Sequence, residues 1–510
     1  MKVSIPKTSN QSVLAYLREE GIFVNAPCGG KGKCGKCKVK VIEAGNQLNK
    51  QCEVRLTQDK EERYQLACKL SCVEGMMIEV EPQKEGFEVV TDFMTFEKEA
   101  QVEDLSQETR LPSYSIAVDI GTTTVAFALV DTGKGKQIID TYTMLNSGKT
   151  CGADVISRID YVNTKGGRLL QELMQHDLNE GITGLCEKND LSLSEIKRVV
   201  IAGNTTMLHL LTGASCEHLG VYPFTPEFID EKHLRLAELL ENDTYQAEAI
   251  LLPGISTYVG ADIVSGIMQC KMHQSEAVSL LIDIGTNGEM VVGNKHKLLG
   301  LATAAGPAFE GGNISCGTGS VPGAICKVSA DESGEVIVET IGQEAPIGIC
   351  GSGLIDAVAE ALKKEWIDET GMIEWDEAYI PLLKENKEIT LTQKDIRQFQ
   401  LAKAAIRAGI EILTESYGIT HSQIENIYLA GGFGKFINID HAIVIGLLPR
   451  CYRKKIKRIG NASLGGAIEY LSKTHEEDLK HIKQIARELN LANEPKFNDY
   501  FIEYMLFEEE

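Results

Sequence analysis

The 510-residue sequence has no uninterrupted apolar stretch of about 18 or more residues, so no segment reads as a membrane-spanning helix. Its opening, MKVSIPKTSN, lacks the apolar run of a secretory leader, and a cytoplasmic protein is the expectation. Positive charge is also short: 51 Lys and Arg stand against 73 Asp and Glu, a net of −22. That balance excludes a broad nucleic-acid surface, which needs a basic face, and suits a protein that docks a complementary partner. No CxxC pair occurs in the C-terminal part, which argues against a metal or cluster site there.

Cysteine, in contrast, is plentiful. There are 14, too many to ignore in a compartment where disulfides are not expected. Eight are scattered singly (Cys151, Cys186, Cys216, Cys270, Cys316, Cys326, Cys350 and Cys451) and read as small buried hydrophobes. The other six fall between Cys28 and Cys72.

The chain is too long for one ordinary domain. Its first unit, residues 1–90, reads as a small α+β fold. Strands are expected at Val3–Ile5, Lys38–Ile42 and Met76–Val80, with a helix at Ser12–Glu20. Between helix and strand lies APCGGKGKCGKC, with Cys28, Cys34 and Cys37 in C-x5-C-x2-C spacing. Gly29, Gly30, Gly32 and Gly35 permit positive φ and let N–H groups turn inward, while Lys31, Lys33 and Lys36 offset thiolate charge. A [2Fe–2S] cluster benefits from both. Zinc is the rival, but its usual signature is two CxxC pairs and only Cys34 and Cys37 form one. The segment resembles plant-type and adrenodoxin-type [2Fe–2S] ferredoxins, whose fold is a β-grasp. It departs from the plant spacing by one extra residue in the first gap. The family's distant ligand sits in a motif like RLAC, which QLAC ending at Cys68 matches. The resemblance therefore implies Cys28, Cys34, Cys37 and Cys68 as cluster ligands, with Cys52 and Cys72 as alternatives to Cys68.

Residues 91–113 are acidic, lack apolar periodicity and read as a linker. Beyond them, YSIAVDIGTTTVAFALV (114–130) and LLIDIGTNGEMVV (280–292) repeat one pattern: apolar strand, polar glycine turn, apolar strand. The two Asp-Ile-Gly-Thr copies start at Asp119 and Asp283, 164 residues apart, and suggest two related halves, 114–275 and 276–475. Gly121 and Gly285 let backbone N–H groups approach phosphate oxygens. Thr122, Thr123, Thr124, Thr286 and Asn287 add side-chain donors. Asp119 and Asp283 offer hard oxygen ligands for Mg²⁺. A third motif, NIYLAGGFGKF (426–436), runs a strand into Gly431, Gly432 and Gly434.

Together these resemble the actin, sugar kinase and Hsp70 superfamily. The DIGT turns correspond to its phosphate motifs and the 426–436 stretch to its adenosine motif. The expected fold is thus multidomain: an α+β β-grasp ferredoxin unit, then an α/β actin-like ATPase with two RNase H-like subdomains. The resemblance implies Asp119, Gly121, Thr122, Thr123, Asp283, Gly285, Thr286, Asn287, Gly431, Gly432 and Gly434 as ATP-site residues. Asn204, in VVIAGNTTMLH (199–209), is expected to face the cleft. ICGSGLIDA (349–357) fits a connecting helix, where small residues permit close crossing. Helices are expected at 261–272 and 402–417 as core elements, and 302–323 as a cleft-lining loop in which Glu310 is either near the nucleotide or an ordinary loop carboxylate. The charged segment 476–510 reads as a C-terminal tail.

A ferredoxin joined to an ATPase implies an electron that must go uphill, or to an acceptor that must be remodelled. The whole arrangement resembles the reductive activators of corrinoid proteins, which return Co(II) corrinoids to Co(I) in methyltransferase or O-demethylase systems. The resemblance implies a corrinoid protein as partner and an external low-potential electron donor. Members of that family are often homodimers, a state on which this sequence is silent. Two other classes stay open: an ATP-driven electron injector for a different acceptor, such as a radical dehydratase, and a redox-sensing binding protein with vestigial ATP motifs.

Overall fold

The computed structural model describes residues 1–20, 22, 24, 37–44, 64–80, 113–133, 136–375, 378–383, 389–431, 436–471 and 475–507. Cys28, Cys34, Cys52, Gly432, Gly434 and nearly all of the 91–113 linker lie outside these residues.

The N-terminal unit contains β1 (Lys2–Ser4), α1 (Val13–Glu19), β2 (Lys38–Ala44), β3 (Tyr64–Leu66) and β4 (Met76–Glu79). The strands form an antiparallel sheet in the order β1-β4-β2-β3. Val13, Leu14 and Leu17 share one face of α1 and pack with Ile5, Val39 and Ile78 into a small core. Each such side chain contributes about 1.5–3 kcal/mol by leaving water.

The first half of the large unit contains β5 (Tyr114–Ile120), β6 (Thr124–Asp131), β7 (Gln137–Leu145), α2 (Val155–Lys165), α3 (Arg168–Lys188), β8 (Ile196–Gly203), α4 (Thr205–Thr212), β9 (Lys232–Arg235), α5 (Leu236–Leu239), β10 (Glu248–Leu251) and α6 (Ala261–Gln269). The second half contains β11 (Ser279–Ile284), β12 (Gly288–Asn294), β13 (Lys297–Thr303), β14 (Ala324–Ala330), β15 (Val336–Thr340), β16 (Gly348–Ile349), α7 (Gly351–Lys363), β17 (Tyr379–Pro381), β18 (Thr390–Thr392) and α8 (Gln393–Tyr417). It continues with β19 (Asn426–Ala430), α9 (Ile439–Val444), β20 (Ile456–Gly460), α10 (Ala462–Tyr470), α11 (His475–Ile485), β21 (Ala486–Glu488) and α12 (Phe497–Glu503).

The two six-stranded sheets repeat one order. The first runs β7-β6-β5-β8-β10-β9, and the second runs β13-β12-β11-β19-β20 with β21 on its outer edge. In each, an antiparallel three-stranded meander continues into parallel strands. The internal duplication expected from the two DIGT copies is therefore present in the topology. Strands β5, β8 and β11 are buried over most of their length, as strands covered on both faces are.

Two expectations are corrected. The close helix crossing is not made by ICGSGLIDA. That stretch lies largely in α7, which packs against β14 within the second half. The crossing is between α6 and α10, the helices that follow β10 and β20 at equivalent points of the duplication. Three glycines permit it. A Cβ on Gly466 would lie 2.0 Å from Ser265 O, one on Gly465 2.5 Å from Gln269, and one on Gly266 3.3 Å from Ala462 Cβ. Nor is 476–510 a free tail across its described part, 476–507. Leu479 and Ile482 of α11 are buried, β21 pairs in parallel with β13, and α12 packs on α8. Phe507 is buried, with the Lys403 ammonium 5.0 Å from its ring centroid, while Gln400 Nε2 donates to Met505 O at 2.6 Å. Apolar and aromatic side chains spaced among the charges explain this docking.

Candidate functional site

The two DIGT turns close by the same device at different lengths. Gly121 N donates to Thr124 O and Gly285 N donates to Asn287 O, each at 2.9 Å. Ile120 pairs with Val125, leaving four turn residues, whereas Ile284 pairs with Gly288, leaving three. The glycine N–H groups are thus used inside their turns rather than offered to a ligand. Among the described residues, the N–H groups of Thr122, Thr123 and Thr286 donate to nothing, so the polar turn residues supply the free donors.

Register then places the acids. Asp119 sits opposite Ala126, but Asp283 sits opposite Glu289. Asp119 and Asp283 also lie beside Ala202 and Ala430 of the parallel neighbours, one residue before Gly203 and Gly431. These two glycines occupy equivalent joints. A Cβ on Gly203 would lie 2.8 Å from Ile120 O, and one on Gly431, at φ +85°, would lie 2.7 Å from Asp283 Oδ1. Backbone must pass close to the strand end in both halves, which only glycine allows.

The structure brings Asp119, Asp262, Asp283, Glu289 and Glu310 together where the halves meet. Asp262 belongs to the first turn of α6. Burial pushes the Asp262 and Asp283 carboxyls up to about 7, with repulsion from Asp119 adding to both and from Asp262 and Glu310 to Asp283. Glu289 is pushed well up by burial and by Asp262 and Asp283, against a hydrogen bond from Asn287. Asp119 is raised by burial, although Ser463 Oγ (2.7 Å) and Asn461 Nδ2 (2.9 Å) both donate to it. Asn461 is also the N-cap of α10. So α6 and α10 both begin at this carboxylate cluster, which can carry its full negative charge only beside a cation.

Thr286 donates from Oγ1 to Glu310 Oε2 at 2.6 Å, so Glu310 lies at the second turn rather than out on its loop. Asn204 caps α4 by accepting from Met207 N at 3.0 Å and donates from Nδ2 to Thr122 Oγ1 at 3.1 Å, joining two predicted residues. Sequence reading missed Asp262, Glu289, Asn461 and Ser463. Only Glu289 had a signal, since hairpin alternation puts it on the face of Asp283.

The N-terminal unit offers a second set. Cys37 immediately precedes β2 and Cys68 follows β3. Lys38 pairs with Leu66, and Ala67 N donates to Cys37 O at 2.7 Å, so the sheet brings these two cysteines side by side. Cys37 is buried and Cys68 half-buried. Cys72 is fastened elsewhere: its N–H donates to Gln11 O at 3.0 Å and its carbonyl accepts from Ser9 N at 3.1 Å. Two cysteines at the same end of the β2–β3 pair suit a cluster ligand set better than cysteines scattered singly.

Residues 1–73 match the 2Fe-2S iron-sulfur cluster binding domain, 114–275 the RACo middle region, and 277–510 the C-terminal domain of RACo, the ASKHA domain. The chain is 35% identical to the corrinoid activation enzyme RamQ of Eubacterium limosum over 428 residues, 79% of this chain and 72% of the relative. It is 28% identical to the [Co(II) methylated amine-specific corrinoid protein] reductase of Methanosarcina barkeri over 439 residues, 76% of each chain. A solved structure of a reductive activator for corrinoid, iron-sulfur protein matches with a TM-score of 0.70 at 29% identity, covering 99% of this chain and 96% of that one. A ferredoxin unit, two duplicated halves meeting at paired acidic turns, and a relative matched across both place this chain in the RACo-type family of corrinoid-activating proteins.

Proposed function

We propose that the chain uses ATP to drive one electron from a [2Fe–2S] cluster to the Co(II) corrinoid of a partner protein, giving Co(I). The observation that carries this reading is that likeness to corrinoid-activating proteins spans the cysteine-bearing unit and the cleft together. Cys28, Cys34, Cys37 and Cys68 hold the cluster, which supplies one-electron reducing chemistry. Plant-type clusters work near about −400 mV, and each 59 mV or so of mismatch with the acceptor costs about tenfold in a one-electron equilibrium. Nucleotide binding offsets that mismatch by changing the acceptor's surroundings.

In the cleft, Thr122, Thr123, Thr286 and Asn287 take the phosphates, with Gly121 and Gly285 shaping their turns. Gly431, Gly432 and Gly434 admit the adenosine, and Asn204 orients Thr122. Asp119 and Asp283 receive Mg²⁺, the cation the crowded carboxylates call for. The organisation we propose is a ferredoxin domain over 1–90, a linker over 91–113, and halves over 114–275 and 276–475, the latter extended by the docked segment 476–507. The setting is the cytoplasm. The donor is an external low-potential reductant, and the acceptor belongs to a methyltransferase or O-demethylase system.

The test is anaerobic. Protein, reductant and a Co(II) corrinoid protein are mixed with and without ATP, and the visible spectrum is followed. A Co(I) band that needs ATP supports the reading; its absence, or its appearance without ATP, overturns it.

A further inference from the structure

The turn after β7 is fixed at three points. Asn146 caps the one-turn 3₁₀ helix Ser147–Thr150 and donates from Nδ2 to Gly121 O at 2.7 Å, fastening the turn to the first DIGT hairpin. Asp177 of α3, a buried carboxylate, accepts from Ser147 N at 2.7 Å and from Ser147 Oγ at 2.6 Å. Arg158, fully buried, donates to the carbonyls of Thr122 and Gly152. The second half repeats the device. There buried Asp395 accepts from Ser315 N (2.7 Å) and Ser315 Oγ (3.0 Å), holding the glycine-rich loop that follows Glu310.

The first of these turns carries Lys149. Among the described residues the Lys149 ammonium makes no hydrogen bond and no ion pair, although the residue is half-buried. An ammonium has three donors and is costly to withdraw from water without partners. Burial lowers its proton affinity, and the charge that opposes this is Glu310 across the cleft; Arg158 lowers it further. Glu310 already accepts from Thr286. A cation on a loop fastened to the first phosphate turn, and close enough to Glu310 to feel its charge, fits a group that carries several negative charges.

We propose that Lys149 contacts the terminal phosphate of the nucleotide, and that Asp177 positions it through Ser147. The assignment rests on the reading that this cleft binds ATP. In hydrolysis the water oxygen bonds to the γ-phosphorus while the bond to the β–γ bridging oxygen breaks, and the water's proton passes to a cleft carboxylate. Lys149 stays protonated and offsets charge on the phosphoryl oxygens.

The experiment compares the full-length protein with Lys149→Met, Lys149→Arg and Asp177→Asn. ATP and ADP affinities are measured by calorimetry and hydrolysis by phosphate release; circular dichroism and cluster absorbance check the fold. Lys149→Met is expected to keep ADP affinity within about twofold and to lose about 10²–10³ in kcat, as removal of one charge-stabilising donor does. Lys149→Arg is expected to recover part of that loss. Asp177→Asn is expected to lower kcat with KM for ATP and the thermal midpoint unchanged. Wild-type kcat in Lys149→Met overturns the assignment alone. Failure of the wild-type chain to bind ATP overturns the reading of the cleft and the assignment with it.

Discussion

Ser463 Oγ donates to Asp119 Oδ1 at 2.7 Å across 344 residues of sequence. This bond ties the start of α10 to the end of β5, so the first acidic turn and one crossing helix move together. Removing it by Ser463→Ala leaves a buried carboxylate one donor short, a loss of about 1.5–3 kcal/mol for a charged hydrogen bond. ATP-dependent Co(I) formation is expected to fall while the cluster spectrum stays unchanged. Equal activation rates for variant and wild type would show that the bond plays no part.

The α6–α10 crossing packs one helix from each half against the other. Gly466→Ala places a Cβ against Ser265 O, where the ideal position is only 2.0 Å away. The helices must separate, and a cost of about 1–3 kcal/mol is expected for overpacking. Urea unfolding should show a lower midpoint at unchanged slope. A midpoint equal to wild type contradicts this close packing.

Cys68 and Cys72 separate cleanly by geometry. Cys68→Ala is expected to abolish or severely deplete the cluster, read as iron content and visible absorbance of the anaerobic protein. Cys72→Ala is expected to retain the cluster and lose stability, because Cys72 is a buried core residue held by residues 9–11. Loss of the cluster in Cys72→Ala with retention in Cys68→Ala would reverse the ligand assignment.

The contribution of His209 to stability is expected to fall below pH about 6.5, opposite in sign to that of the buried carboxyls of Asp262 and Asp283, which take up protons first in the folded chain. His209 is fully buried in α4: Nδ1 donates to Thr205 O at 2.7 Å, and Nε2 accepts from Glu227 N at 3.1 Å. A protonated ring has no lone pair left to accept. Burial, aided by Lys232, lowers its pKa from the ordinary 6.5, against the Thr205 carbonyl and Glu227. Above about 6.5 the ring is neutral folded or unfolded. Below it the unfolded chain takes up a proton that the folded chain refuses. This contribution then drops by up to about 1.4 kcal/mol per pH unit until the folded pKa is reached. Thermal midpoints measured from about pH 8 to 5 should show this as a difference in slope, the wild type losing stability relative to His209→Gln as pH falls. A slope unchanged by the substitution would show that His209 contributes nothing to it.

Local pattern made much of this legible. The DIGT turns and the strand into Gly431 announce themselves by glycine next to apolar runs, and short-range geometry fixes the backbone around them; the cysteine loop announces itself by its spacing alone. Asn461, Ser463 and Asp262 sit in unremarkable stretches; only the meeting of two helices far apart in sequence brings them to Asp119. The crossing helices show why small residues mislead. ICGSG and SLGGA look alike in a sequence, but only the second follows β20 at a point equivalent to that of α6 after β10. Charge likewise hid the docking of 476–507, since its aromatic residues are dispersed among acids and lysines.

The most direct test of ATP-driven electron transfer follows cluster and cobalt together in an anaerobic stopped-flow. Pre-reduced protein is mixed with a Co(II) corrinoid protein, and ATP is either present or absent. One Co(I) is expected per cluster oxidised, only with ATP, and neither signal is expected to change in Asp283→Asn. Co(I) formed without ATP, or without matching cluster oxidation, would contradict the proposed function.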